Sequence, residues 1–193
     1  MLELKKTNMV LTSFNPRAEL HGDDPKPAAD LTLEAKLPNS VLAEFDPTLK
    51  ALLYVKDTEQ ADLVSEGDPE HMTKRRFPKM SPFKWDDEIV GAQVTIHWGV
   101  GKKSDVVLGG CVVGNYKIDA EEGGTVKLTL RVQCHPSESQ AGKVCMLVGS
   151  KIDVTIEPPE ADEELVEKAP KGRKSKTAGN PADDWPFPPE ARA

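Results

Sequence analysis

Apolar and polar residues alternate without a break through Asp30-Leu-Thr-Leu-Glu-Ala-Lys-Leu37 and again through Thr125 to Cys134. That period of two predicts strands with one buried and one solvated face. Leu2 to Phe14 is apolar and threonine-rich, and it predicts a strand closed by the turn signal Asn15-Pro16. The segment His21-Gly22-Asp23-Asp24-Pro25 has the chemistry of a loop. Ile89 to Trp98 and Asp105 to Ile118 flank the turn Gly99-Val-Gly-Lys-Lys103, and Glu121-Glu-Gly-Gly124 forms the next turn before Thr125. These three segments predict an antiparallel meander, and Lys151 to Ile156 predicts a closing strand. The period becomes helical after Pro38-Asn39-Ser40, where Val41, Leu42, Phe45, Leu49, Leu52 and Leu53 recur, with Pro47 dividing the stretch into two short helices. Another short helix is expected from about Ser137 to Val148. The fold class that follows is mainly β: a single antiparallel β-barrel or sandwich carrying one or two short helices.

The pattern stops near Glu157. Residues 158–193 hold seven of the 16 prolines, and Leu165 and Val166 are their only large aliphatic side chains. Such a segment cannot bury enough apolar surface to offset chain entropy, so a body of residues 1–157 and a disordered tail of residues 158–193 are expected. The tail runs from an acidic block (Asp162, Glu163, Glu164, Glu167) through a basic spacer (Lys168 to Lys176) to an acidic and aromatic tip. A body of about 150 residues buries about 70% of its unfolded surface and needs no disulfide or metal to fold.

Charge and cysteine usage exclude several classes. The formal charge is -7 with pI ≈ 5.2, which rules out a histone-like polycation. No stretch approaches the roughly 20 apolar residues of a membrane span, and Met1 to Thr7 has no apolar signal-peptide run, so a cytoplasmic protein is expected. Cys111, Cys134 and Cys145 form no C-x-x-C pair, which fits buried thiols in a reducing compartment; neither a structural metal nor another cofactor is expected. Gly99 to Ser104 is similar to a phosphate loop but lacks its spacing, and no paired carboxylates or nucleophile–base motif points to catalysis.

One stretch stands out against the acidic background. Lys74, Arg75, Arg76, Lys79 and Lys84 are interleaved with Phe77, Phe83 and Trp85. Cations that track phosphates and flat rings that stack bases are the two requirements of single-stranded nucleic acid binding. Trp98 is a further stacking candidate, and Lys102, Lys103, Lys117, Lys127 and Arg131 are further phosphate contacts.

The tail tip reads Asp183-Asp184-Trp185-Pro186-Phe187. It resembles the acidic tip of bacterial single-stranded-DNA-binding proteins, whose pattern is Asp-Asp-Asp-Ile-Pro-Phe. Asp183 and Asp184 match its acidic positions, Trp185 takes the aliphatic slot, and Pro186-Phe187 match directly. In that family the phenylalanine ends the chain, whereas six residues follow it here. The resemblance implies a tip that docks onto replication or recombination enzymes, with the acidic pair on a basic patch and the Phe187 ring in an apolar pocket. The body is similar to early-region proteins of tailed bacteriophages, which implies an oligonucleotide-binding-like barrel working in a host cytoplasm. The expectation is thus a non-enzymatic protein that coats single-stranded DNA, with no membrane partner and with homo-oligomerisation open. The alternative is an acidic interaction module, an inhibitor of a host or defence enzyme that mimics DNA.

Overall fold

The computed structural model describes residues 2–21, 24–56, 72–99 and 104–159. Six long strands close into an antiparallel barrel: β1 (Leu4–His21), β2 (Asp24–Pro38), β5 (Phe83–His97), β6 (Val106–Glu121), β7 (Thr125–Cys134) and β8 (Lys151–Glu157). Around the ring the order is β1-β2-β7-β6-β5-β8, with β8 pairing β1 on one side and β5 on the other. The expected fold class holds as a closed barrel rather than a sandwich, with one strand more than the five of the oligonucleotide-binding barrel. The expected meander is β5-β6-β7. No helix among the described residues is long and apolar enough to cross a membrane.

Alternation fills the interior. Along β7, Val126, Leu128, Leu130, Val132 and Cys134 are all buried, and they meet Leu31, Leu33, Val113 and Ile118 of the neighbouring strands. Pro47 does split the helical stretch, into a 3-10 helix (Asn39–Glu44) and α1 (Leu49–Leu53). These cap the barrel end that carries the Glu121–Thr125 turn, burying Leu42, Leu49, Leu53 and Tyr54. A small hairpin of β3 (Tyr54–Val55) and β4 (Lys74–Arg75) lies against the same turn. Thr73 accepts the amide N–H groups of Gly123 and Gly124 at 3.1 Å each. Gly124 sits at φ +73, and a Cβ there would stand 3.2 Å from the Met72 carbonyl, so any other residue would be both strained and crowded. α2 (Glu138–Cys145) starts with a capping box in which Ser137 and Gln140 satisfy each other's amides.

Two expectations at the β1–β2 hairpin are corrected. Asn15-Pro16 is no turn: β1 runs on to His21, and Pro16 pairs with Ala29 in a ribbon whose other strand begins at Asp24. Most of the segment read as a loop, His21 to Pro25, is therefore strand; only Gly22 and Asp23 lie outside the described residues. The reason lies in what the neighbouring strands leave open. Backbone bonds from β8 and the turn before it reach β1 only as far as Leu11, and β7 pairs β2 only from Ala29, so among the described residues no strand pairs the outer edges of the ribbon beyond them. Pairs 16/29 and 18/27 share one parity in the ladder, and a proline fits only a pair that exchanges no hydrogen bonds. Pro16 and Pro27 therefore aim their ring nitrogens at these unpaired edges, where a missing N–H breaks no ladder bond and discourages pairing with another strand.

The Tyr54 hydroxyl fastens the cap to the barrel, donating to the Thr125 carbonyl at 2.5 Å with the Glu121 carbonyl also within 3.0 Å. Burial pushes this phenol up to about 12. Tyr54→Phe is expected to cost about 1–3 kcal/mol by leaving those carbonyls unpaired. Urea unfolding checks this as a lower midpoint at an unchanged slope.

Candidate nucleic-acid interface

The cation and aromatic stretch, residues 74–85, crosses the capped end of the barrel. Arg75 is committed to the fold: its Nε donates to Glu122 Oε1 at 3.0 Å and its Nη1 to the Ala120 carbonyl at 3.1 Å. The Arg75 guanidinium in turn holds the Glu122 carboxyl below its ordinary range. The Arg76 amide then donates to the Leu53 carbonyl at 2.8 Å, and Met80 donates to Phe77 at 3.1 Å, closing a tight turn over Phe77-Pro78-Lys79-Met80. This pinned turn leaves Phe77 48% and Met80 40% exposed. Arg76, Pro78 and Lys79 line the same shallow surface.

The structure separates the three rings of the stretch. Phe83 and Trp85 stand opposite Ile118 and Tyr116, whose side chains are buried, and both are half-buried against the core. Trp85 meets Phe45 edge-on at a centroid distance of 6.2 Å. Phe77 alone of the three faces solvent as a free platform. Trp98 is also 49% exposed, but it follows the far end of β5. The 15 residues of that strand span about 45 Å at about 3.3 Å each, so Phe77 and Trp98 belong to opposite ends of the barrel. Lys102, Lys103 and the tail tip Asp183-Asp184-Trp185-Pro186-Phe187 lie outside the described residues.

Between Phe83 and Trp85, alternation turns Lys84 outward, directly opposite Lys117 on β6. Lys36 and Lys127 also stand opposite each other, across β2 and β7. Like charges facing across a ladder are destabilising, and the two pairs are handled differently. Lys36 meets Glu121 at 2.8 Å and Lys127 meets Glu34 at 3.0 Å. Glu34, through its hydrogen bond and charge, raises the Lys127 ammonium above its ordinary value. Lys84 and Lys117 have no ion pair among the described residues, nor do Arg76 and Lys79. Among the described residues four cations are thus without an ion pair, Arg76 and Lys79 beside Phe77 and Lys84 and Lys117 on the β5–β6 wall.

Arg131, on the outer face of β7, is anchored instead. Its Nη2 meets Asp30 Oδ2 at 2.5 Å, and Arg17 Nη1 meets the same oxygen. Asp30 Oδ1 is buried with no hydrogen-bond partner among the described residues. Pattern reading also missed a cluster on the β5–β8 seam. His97 Nδ1 lies 3.0 Å from Asp105 Oδ2 and its Nε2 lies 2.8 Å from Thr155 Oγ1. The amide of Lys6, in a left-handed bulge at φ +44, donates to the same Thr155 hydroxyl at 3.1 Å. The only sequence signal would have been two polar residues, His97 and Asp105, bracketing the same turn.

No family model, curated protein or solved structure matches the chain.

Burial at Asp30 opposes ionisation, but hydrogen bonds from Arg131 and Arg17 outweigh it and hold the carboxyl below its ordinary 3.8. A depressed carboxylate stabilises the fold above the unfolded value, and that stability is lost as pH falls through the lower folded value. Asp30→Asn is therefore expected to cost about 1–3 kcal/mol at neutral pH. Its urea midpoint should fall less than the parent's on acidification from about pH 5 to about pH 2.

Proposed function

We propose that the protein binds single-stranded DNA, non-catalytically, through the Phe77 turn and the cations around it. The observation that carries this reading is the set Arg76, Lys79, Lys84 and Lys117, without an ion pair among the described residues, together with a half-exposed ring at Phe77. An acidic chain that pairs Lys36 and Lys127 with carboxylates yet leaves two lysines face to face has a surface that a polyanion would relieve. Phe77 would stack one base, worth about 1–3 kcal/mol, while the four cations neutralise phosphates. Phe83 and Trp85 contribute by fixing the C-terminal end of the segment to the core while Arg75 holds the other end, so that Phe77 is presented rigidly. The net charge of -7 does not oppose this, because exposed charges beyond about 8 Å are screened at physiological salt. Work in bacteriophage replication or recombination, with the Asp183–Phe187 tip recruiting enzymes, belongs to the same proposal and rests on the resemblance of that tip.

The test is fluorescence anisotropy of a labelled poly(dT) of roughly 30 nucleotides across a salt series, with duplex DNA alongside. Salt-sensitive binding that favours the single strand is expected. Phe77→Ala should weaken it by about 1–3 kcal/mol. Lys84→Ala and Lys117→Ala should each reduce the slope of log affinity against log salt by about 0.7. An acidic DNA mimic would instead show no binding at low salt, and that result would remove the proposal.

A further inference from the structure

Two irregularities in the ladder face each other on the barrel wall. β5 and β6 shift register between Trp85 and Glu88, and β6 and β7 shift between Gly114 and Lys117. Within the second bulge Asn115 sits at φ +52, a left-handed conformation that asparagine tolerates better than most residues. Gly114 lets the strands close up, since a Cβ there would stand 2.8 Å from Glu88 Cγ. Between the bulges lies a recess of about 180 Å³, whose polar lining is Asp86, Glu88, Asn115, Arg131 and Gln133. Bulges re-aim side chains and concentrate beside functional sites. Here two of them gather five polar side chains around one depression.

Size and chemistry both narrow the occupant. Pockets for drug-sized molecules run to about 300–1,000 Å³, so this one suits a single ring system. Asp86 and Glu88 offer only acceptors and form no ion pair among the described residues. Arg131 stands across from them on β7; the Asp30 contact fixes its guanidinium, and the other N–H groups of the fork have no partner among the described residues. Guanine carries acceptors O6 and N7 on one edge, which arginine engages in bidentate fashion, and a donor at N2 on the other. Its Watson–Crick edge adds the N1–H donor, so a carboxylate can accept two parallel bonds. Adenine presents a donor where guanine has O6, and thymine has no amino group.

We propose that the recess receives a guanine base of the bound strand, with Arg131 on O6 and N7 and Glu88 or Asp86 on N1–H and N2–H. This rests on the single-strand reading above and deepens it into a base preference. The route is short: Lys84 precedes Glu88 by four residues on β5, and Lys117 follows Gly114 by three on β6, so a strand laid on the lysines leads into the recess.

The test compares three labelled oligonucleotides of one length at one salt concentration: poly(dT), the same chain with several dG, and that chain with each dG replaced by dI, which lacks the 2-amino group. The dG chain is expected to bind roughly 5- to 150-fold tighter than poly(dT). The dI chain should lose much of that gain, and Glu88→Gln should collapse the dG-to-dT ratio. Equal affinity for the dG and dT chains would overturn the guanine recess while leaving single-strand binding intact. A dG preference that survives in a Glu88→Gln, Asp86→Asn double variant would overturn it too. No binding to any of the three would overturn both readings together.

Discussion

Insertion of β8 between β1 and β5 is the pairing on which the rest depends. Leu4 to Val10 pair with one edge of β8, and Gln93 to His97 pair with the other. Without it the sheet β1-β2-β7-β6-β5 would have two open edges and no enclosed core. With it every inward residue from Met9 round to Ile156 faces another inward residue, and the wall becomes stiff enough to carry bulges without opening. The His97 cluster reinforces that seam, tying the β5 end to the β8 wall and, through Thr155, to the bulge of β1.

Closure also explains how an acidic protein keeps a cationic surface at one end. Outward positions on adjacent strands are held about 5 Å apart by the ladder, so charges there cannot drift to better partners. On β2 and β7 the neighbours are Glu34 and Glu121, and the lysines are neutralised. Lys84 and Lys117 instead face each other across β5 and β6, and the carboxylates of Asp86 and Glu88, beyond the β5 bulge, line the recess. The same irregularities build the polar depression beside the two lysines.

Much of the fold was legible because burial imposes period two, and Thr125 to Cys134 emerged with the expected bounds. Pro16 misled because a proline reports only a missing donor; whether that means a turn depends on which neighbouring edge is empty, and β7 and β8 decide that from more than a hundred residues away. The site was legible in composition and not in orientation. Phe77, Phe83 and Trp85 read alike as aromatic residues among cations, but the parity of β5 turns the latter two inward, and Pro78 and Pro82, which interrupt the stretch, hid that parity. Asp86-Asp87-Glu88 did interrupt the alternation, and three consecutive polar residues inside a strand were the one visible trace of the bulge. Nothing local revealed that Gly114-Asn115 would break the ladder opposite it.

The proline parity of the β1–β2 ribbon sets a rule for how its length can vary among relatives. Residues added at the tip leave Pro16 and Pro27 where they are, so the arm can grow outward freely. A single residue added to each strand at the root, between the barrel and Pro16, would move both ring nitrogens into bonded positions and turn the ribbon over, sending its polar face where Pro16 and Ala18 now lie. Growth at the root is therefore quantised in pairs, and natural variants of this chain should show even-numbered insertions there and any number at the tip.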